Sequence, residues 1–189
     1  TIDSAAETSA WWRAALGEYP TGVCLVTGVA ADRSPVAMVV GSFLAVSEDP
    51  PLIGFFAGRR SITLPVLEES GCFTVSVLAK VESLCRAFAT QDPGRWEQGA
   101  FESSGTGAPR VSDAVAWFDA EIEDVREYGD HSFLVGRITD AGAGSGAADM
   151  PLLFRRAGYG TFAAPSDTFD TRAFIERLRW ATVGEREIR

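Results

Sequence analysis

The chain has 189 residues, with 26 acidic against 17 basic side chains and a net charge of −9. Apolar residues make up 46% and charged residues 23%, which fits a globular domain and excludes a disordered, collagenous or coiled-coil chain. Nucleic-acid binders are normally basic on one face, so the charge argues against a nucleic acid or an acidic membrane as partner. Because no apolar run reaches the roughly 18 residues of a membrane helix and the start lacks a secretory-signal pattern, we expect one soluble cytoplasmic domain.

The cysteines and the single histidine argue against a metal site. Cys24 and Cys72 fall in apolar, strand-like runs, and Cys85 stands apart from them. Free cysteines in such runs are usually small buried hydrophobic side chains. With no C-x-x-C pair and His131 as the only histidine, the sequence predicts no zinc site.

The first predicted element is a helix over residues 8–18, with Thr8 or Ser9 as its N-cap. Its apolar side chains recur at helical spacing. They are Trp11, Trp12, Ala15 and Leu16. Core packing or a dimer interface would account for such aromatic residues.

Three strands follow over residues 23–29, 35–46 and 52–56, separated by turns. Gly41 lies within the second strand, where a glycine indicates a bulge or a close backbone approach. A second helix is predicted near residues 62–69, with Ser61 as its N-cap.

The rest of the chain predicts five more strands and two more helices. The strands lie over residues 72–78, 115–125, 132–138, 151–154 and 159–162, and the helices over 81–90 and 170–181. A polar loop runs to residue 110, and the Gly- and Ala-rich residues 140–148 predict a flexible loop. Since the strands do not alternate regularly with helices, we predict a closed or split antiparallel barrel with a few flanking helices.

A candidate anion site follows the third strand, at the start of the second predicted helix. The run Arg59-Arg60-Ser61-Ile62-Thr63 offers two guanidinium groups, two hydroxyls and free backbone N–H groups, the donors that a phosphate requires. A helix cap beside surface arginines explains the same pattern without a ligand. Spacing alone leaves both interpretations open.

His131 lies in the run Gly129-Asp130-His131, just before an apolar strand. A structural and a catalytic role both remain open for it, and the absence of a G-x-S-x-G motif argues against a hydrolase. A phosphate-bearing organic cofactor with its own chemistry would explain how so few acid–base groups could suffice.

Six segments in order resemble the flavin reductase-like family of FMN-binding split barrels. They lie over residues 13–27, 35–52, 61–78, 86–89, 129–136 and 151–159. The resemblance spans about residues 12–163 and implies a mainly β, antiparallel Greek-key split barrel with a few flanking helices, in one domain over residues 1–189. Residues 164–189 would form a C-terminal helical extension.

The resemblance implies an NAD(P)H:flavin oxidoreductase that uses NADH or NADPH and FMN or FAD. It implies a homodimer that supplies reduced flavin to the monooxygenase component of a two-component system. By position, it implies flavin contacts at Met38, Val39, Gly41, Ser42, Phe56, Ala57, Gly58, Ala87 and Phe88. It implies phosphate contacts at Ser61 and Thr63, to which we add Arg60 of the candidate anion site as a cofactor-binding residue. It implies nucleotide contacts at Phe154, Arg155 and Tyr159, and His131 as the catalytic residue near the nicotinamide.

Two other functions stay open at this point. Val39, Val40 and Gly41 stand where many relatives carry polar side chains, which leaves room for a flavoprotein that keeps its FMN and acts on its own small organic substrate. A non-catalytic flavin-binding module is the second alternative. For a 2′-phosphate of NADPH, the candidate partners are Arg59, Arg155 and Arg156.

Overall fold

The computed structural model describes residues 5–79, 81–146 and 149–162. Its helices are α1 (Ala5–Leu16), α2 (Leu64–Ser70) and α3 (Glu82–Ala89), followed by a 3-10 helix over Arg95–Gln98. Its strands are β1 (Thr21–Gly22), β2 (Cys24–Val29), β3 (Pro35–Val40), β4 (Leu44–Glu48), β5 (Pro51–Gly58), β6 (Cys72–Val77), β7 (Phe101–Ser103), β8 (Pro109–Val111), β9 (Ala116–Tyr128), β10 (His131–Ala143), β11 (Leu152–Arg155) and β12 (Gly158–Thr161). The predicted mainly β, antiparallel architecture is confirmed.

Seven strands form one antiparallel sheet in the order β3-β2-β6-β9-β10-β5-β4. Its two edge strands, β3 and β4, are consecutive in the chain, so the sheet must curl for residues 41–43 to join them. Ser42 tightens this junction, because its Oγ accepts a hydrogen bond from the Phe56 N–H at 2.9 Å and donates one to the Phe56 carbonyl at 3.3 Å. The end of β3 is therefore fastened to β5 on the far side of the sheet.

Both faces of the sheet are covered near β2, which explains its continuous burial. Val26 belongs to one apolar cluster, centred on Phe55, Phe73 and Leu67. The neighbouring Leu25 points to the opposite face and packs in a second cluster with residues of α3 such as Leu84. This alternation of side chains along a strand places α3 over one face and α2 over the other.

A buried polar cluster ties the β7–β8 hairpin to the sheet. The carboxylate of the buried Asp119 accepts hydrogen bonds from the Thr74 hydroxyl at 2.7 Å and the Gly105 N–H at 2.8 Å. The Thr74 hydroxyl also lies 2.8 Å from those of Ser104 and Thr106. These contacts supply the partners that a buried carboxylate requires.

We expect Thr74→Val to lower the free energy of unfolding by about 2–3 kcal/mol, because it leaves a buried carboxylate without its hydroxyl donor. The substitution nearly preserves the shape of the side chain. Urea unfolding measures the loss. Thr90→Val is the control, since its hydroxyl bonds Arg86 at an exposed helix end and its removal should cost about 0.5 kcal/mol or less. Equal stability of the two variants would contradict the role of the cluster.

Four sequence predictions are corrected by these elements. Residues 35–46 form two strands rather than one, broken after Val40, although a Cβ on Gly41 would lie 2.7 Å from Thr21 Oγ1 and so the close approach is present. Residues 140–143 belong to β10 rather than to a loop, because they pair with residues 116–119 of β9. Residues 91–110 include a 3-10 helix and the β7–β8 hairpin. Cys72 is only partly buried, unlike Cys24.

The N-terminal helix also differs from its prediction. It begins at Ala5, so Thr8 and Ser9 lie inside it and do not cap it. Its expected apolar stripe lies exposed on this chain, with Trp11 and Trp12 each 57% accessible. The predicted helix over residues 170–181 lies outside the described residues. Within the described part of the chain, no helix is long and apolar enough to cross a membrane.

Candidate functional site

A cavity of about 520 Å³ opens between β3, the loop before α2, the end of α3 and the β11–β12 hairpin. Its volume falls within the range of small-molecule sites. Of the predicted contact residues, nine line it: Met38, Val39, Gly41, Arg60, Ser61, Thr63, Phe88, Phe154 and Tyr159. The resemblance and the geometry thus point to the same place in the fold.

The β3 wall offers backbone hydrogen-bonding groups as well as apolar side chains. β3 is an edge strand that pairs with β2 only, and the Ala37 carbonyl faces away from β2 to accept the Thr63 hydroxyl at 3.0 Å. Because alternate residues of a strand direct their backbone groups to the same side, the Val39 N–H and carbonyl also face away from β2, on the cavity side. A planar polar ligand can bond there although Val39 has no polar side chain.

Ser61 and Thr63 use their hydroxyl groups differently. The N-cap of α2 is Thr63 rather than the predicted Ser61. Ser61 Oγ nevertheless accepts hydrogen bonds from the Thr63 and Leu64 N–H groups at 3.2 and 3.1 Å, and it still has its own O–H to donate. Thr63 is 4% accessible and donates its O–H to the Ala37 carbonyl. This hydrogen bond holds the start of α2 against β3. Helix α2 begins at Leu64, two residues later than predicted. Of the two hydroxyl groups predicted to contact the phosphate, that of Ser61 is therefore the one that is free to donate.

Ten of the cavity-lining residues were not among the predicted contacts. Two of them carry long polar side chains. Gln91 and Arg95 follow α3 in the loop that was expected only to be polar. Trp96 anchors this loop by stacking edge-on against Phe88 at 4.8 Å and Phe101 at 5.2 Å, and so fixes the neighbouring Arg95. The signal in the sequence is the pair Arg95-Trp96. That Trp96 anchors the loop is seen only in the structure, where Phe101 of β7 packs beside it.

The cavity is cationic in an acidic chain. Arg60 and Arg95 line it, and none of the described Asp or Glu residues does. Among the described residues neither arginine forms an ion pair with a carboxylate, although Arg95 donates to the Asp92 carbonyl at 3.0 Å. A guanidinium group beside an anion forms strong charge-assisted hydrogen bonds. The part of the wall that carries Arg60 and Arg95, called the cationic corner below, therefore fits a phosphate.

The hairpin wall is aromatic. Phe154 and Tyr159 stand opposite each other on β11 and β12, with ring centroids 5.2 Å apart. The Arg86 guanidinium lies 5.2 Å from the centroid of the Tyr159 ring. Burial raises the pKa of Tyr159 above its ordinary value, so its hydroxyl stays protonated at neutral pH and can donate a hydrogen bond.

Seven predicted site residues do not line this cavity: Ser42, Phe56, Ala57, Gly58, Ala87, His131 and Arg155. Ala57 and Ala87 are buried in the core, where they support the walls from behind. Ser42 bonds the backbone of Phe56, as described above. Arg155 is held by Glu18, with Nη2 2.5 Å from Oε2.

The three arginines proposed for a 2′-phosphate all stand beside carboxylates. Arg155 and Arg156 share Glu18. Arg59 lies 3.7 Å from Glu127 in an exposed pair. None of the three lines the cavity, and the structure therefore gives no preference for NADPH over NADH.

His131 begins β10 directly opposite Gly58, the last residue of β5. Its Nδ1 lies 2.7 Å from Asp130 Oδ1, and this hydrogen bond holds the pKa of Asp130 below its ordinary value. Gly58 leaves the space beside His131 open, since a Cβ there would meet no atom within 4 Å.

Residues 58–61 connect His131 with the cationic corner. The Arg59 N–H donates to the Asp130 carbonyl at 3.0 Å, and the Ser61 N–H donates to the Gly58 carbonyl at 2.8 Å. The histidine and the cavity therefore lie at opposite ends of one short, hydrogen-bonded segment.

Comparisons with known proteins bear on the family and the fold of the chain. The family model described as "Flavin reductase like domain" matches residues 16–163. A flavin reductase from Pseudomonas putida is 41% identical over 155 residues, 82% of this chain and 90% of its own length. The reductase subunit HsaB of a flavin-dependent monooxygenase from Rhodococcus jostii is 34% identical over 149 residues, 78% of this chain and 75% of its own.

Among solved structures, the NADH:FAD oxidoreductase SgcE6 of Streptomyces globisporus, in complex with NAD and FAD fragments, is similar with a TM-score of 0.79 and 29% identity. The similarity covers 88% of this chain and 99% of that one. These matches confirm the predicted fold and the resemblance on which it rested. The chain belongs to the flavin reductase-like family.

Proposed function

We propose that this chain is an NAD(P)H:flavin oxidoreductase that transfers a hydride from NADH or NADPH to FMN or FAD. The observation that carries the proposal is the cavity with Arg60 and Arg95 on its walls and no carboxylate from the described part of the chain. A flavin has a planar polar ring and a phosphate. The cavity offers the free edge of β3 and the aromatic hairpin wall to the ring, and its two arginines to the phosphate. The residues present therefore fit the cofactor.

Each part of the cavity has a role in holding the flavin. Arg60, Arg95 and the Ser61 hydroxyl would bind its phosphate, and the Val39 backbone and Tyr159 hydroxyl would bond polar edges. Phe88 and Phe154 supply apolar surface. When bound, the flavin supplies the redox chemistry, so the protein needs no strong acid or base.

We assign to His131 the orientation of the nicotinamide. Hydride transfer requires the reacting atoms at about 3–3.5 Å in the correct orientation. Asp130 accepts from one ring nitrogen of His131 and leaves the other for the substrate. The open space at Gly58 provides room beside the imidazole for the carboxamide end of the dinucleotide.

A partner monooxygenase is the consumer of the reduced flavin in this proposal. The name of the Rhodococcus relative, a reductase subunit of a flavin-dependent monooxygenase, supports it. We place the activity in the cytoplasm, where NADH and NADPH are available. The names of the relatives give no support to the two alternatives, a flavoprotein with its own organic substrate and a non-catalytic module.

We propose a homodimer as the working assembly. The outer face of β5, β9 and β10 carries an exposed aromatic cluster beside His131: Phe56 lies 4.7 Å from Phe133 and 6.3 Å from Tyr128 between ring centroids. Such a face is typical of an interface between copies of a chain. Light scattering after gel filtration should give twice the chain mass of 20.2 kDa, and a monomer would contradict the proposal.

The decisive test is NAD(P)H oxidation at 340 nm, with and without added FMN or FAD. We expect turnover that rises and saturates with free flavin, because the flavin leaves as a product. Lumiflavin, which keeps the isoalloxazine ring but carries a methyl group in place of the ribityl phosphate, is the matched control and should support little turnover. Yellow protein without turnover would contradict the proposed reaction and favour a flavoprotein with another substrate.

A further inference from the structure

Contacts with the sheet anchor only one end of the β11–β12 hairpin firmly. At that end Leu152 is buried and its N–H donates to the Leu78 carbonyl at 2.8 Å. β1 pairs with β11 through just two residues, Thr21 and Gly22. In the part of the chain that the structure describes, β12 pairs with β11 alone.

The other end of the hairpin is a tight, exposed turn. Arg156 and Ala157 adopt left-handed backbone angles there, with φ of 50° and 58°. No strand beyond β11 and β12 pairs with this turn among the described residues. Its position therefore depends on contacts outside the sheet.

The contacts of this turn that the structure describes reach the segment between α1 and β1. The Arg156 N–H donates to the Gly17 carbonyl at 3.0 Å, and Arg155 Nε donates to the Glu18 carbonyl at 3.2 Å. The Glu18 carboxylate accepts from Arg155 Nη2 at 2.5 Å through one oxygen and from Arg156 through the other. One carboxylate thus holds two consecutive guanidinium groups.

The two cavity residues of the hairpin directly flank this turn. Phe154 precedes Arg155, and Tyr159 stands opposite Phe154 in the register. We propose that Glu18 is a positioning residue, whose carboxylate fastens the Arg155–Arg156 turn and thereby holds Phe154 and Tyr159 against the bound flavin. This inference rests on the proposed function for the identity of the ligand.

An isolated exposed ion pair contributes little to global stability. The Glu18 group differs because both of its carboxylate oxygens bind the turn, beside the Arg156 N–H bond to Gly17 and the Arg155 side-chain bond to the Glu18 carbonyl, and because no described strand other than β11 and β12 pairs with the turn. Its loss should therefore free the hairpin locally, with little change in the midpoint of thermal unfolding. The effect should fall on flavin affinity rather than on the rate at saturating flavin.

The test compares Glu18→Ala with Glu123→Ala, which removes another exposed carboxylate–arginine pair, to Arg137 on the far part of the sheet. FMN fluorescence titration gives the Kd for FMN, and amide hydrogen exchange measures how often residues 153–161 open locally. For Glu18→Ala we expect faster exchange, a Kd about three- to tenfold higher and an unchanged kcat, as for loss of a small ion-pair network. Glu18→Gln, which keeps one acceptor oxygen, should restore part of the affinity.

Two results would overturn the positioning role. One is exchange and Kd of Glu18→Ala equal to those of Glu123→Ala. The other is faster exchange with unchanged Kd, which would make the contact purely structural. Neither depends on turnover, so absence of NAD(P)H oxidation by the wild type would contradict the proposed reaction separately.

Discussion

Replacing Arg95 with alanine should raise the Kd for FMN by about 10- to 100-fold, the loss expected for one hydrogen bond to a charged group in a partly enclosed site. Arg60→Ala should act in the same direction, and the double variant should lose the most. The physical reason is that Arg60 and Arg95 line the cavity and that, among the residues the structure describes, no other arginine and no acidic residue does. Equilibrium titration of flavin fluorescence at fixed ionic strength measures the change.

Riboflavin provides the ligand control for this prediction, because it has the same ring and ribityl chain without the phosphate. Its affinity should change by about twofold or less in either variant, since arginine contacts to phosphate account for the loss. Arg126→Ala is the protein control: that arginine pairs with Asp124 on β9, away from the cavity. Equal weakening of FMN and riboflavin would show that the arginines shape the cavity rather than bind the phosphate.

The strands of the sheet could be predicted from the sequence because their signals are local. The apolar run after Gly22 marks β2, and the alternation after Ala116 marks β9. The ends of the strands are harder to predict, because they depend on partners that are distant in the sequence. Gly142 belongs to β10 because its missing side chain makes room for Trp117, where a Cβ would lie 2.7 Å from the indole ring, and no local pattern in a Gly- and Ala-rich run reveals that partner.

The cavity could be predicted only in part, because its walls come from distant parts of the chain. Met38 and Ser61 belong to segments with distinctive local sequence, and the resemblance placed them. Arg95 lies in a loop whose position depends on Trp96 packing against Phe88. Arg155 is predicted as a cofactor contact because the resemblance places residues 154–159 over the nucleotide. In the structure it pairs with Glu18, which is far away in the sequence.

The exposed helix α1 shows a different limit of sequence reasoning. Trp11 and Leu16 have the spacing of an amphipathic helix, and that pattern predicts a helix correctly. It does not say what the apolar face meets. On this chain the face is exposed, so periodicity identified the element and not its packing.

His131→Ala should lower kcat by about 10- to 100-fold, because a misplacement of the reacting atoms by about 1 Å can cost a factor near 100. The Kd for FMN should stay within about twofold, since His131 lies outside the flavin cavity and its contacts are to Asp130 and β5. NADH oxidation at saturating flavin and a parallel FMN titration separate the two quantities. An unchanged kcat would contradict a role in the reaction.

Two neighbouring substitutions decide how His131 acts. Asp130→Asn removes the carboxylate that accepts from Nδ1. The folded-state pKa of Asp130 is lowered, so the ionised contact persists at neutral pH and weakens only as the pH falls through that lowered pKa. The variant should therefore reduce kcat at neutral pH and converge with the wild type in acid.

Gly58→Val fills the open space beside the imidazole. It should raise the KM for NADH by about tenfold, the effect of obstructing a contact worth one good hydrogen bond, and leave the FMN affinity unchanged. If Gly58→Val leaves that KM unchanged while His131→Ala still lowers kcat, the dinucleotide approaches His131 from another side, and the open space at Gly58 is not its path.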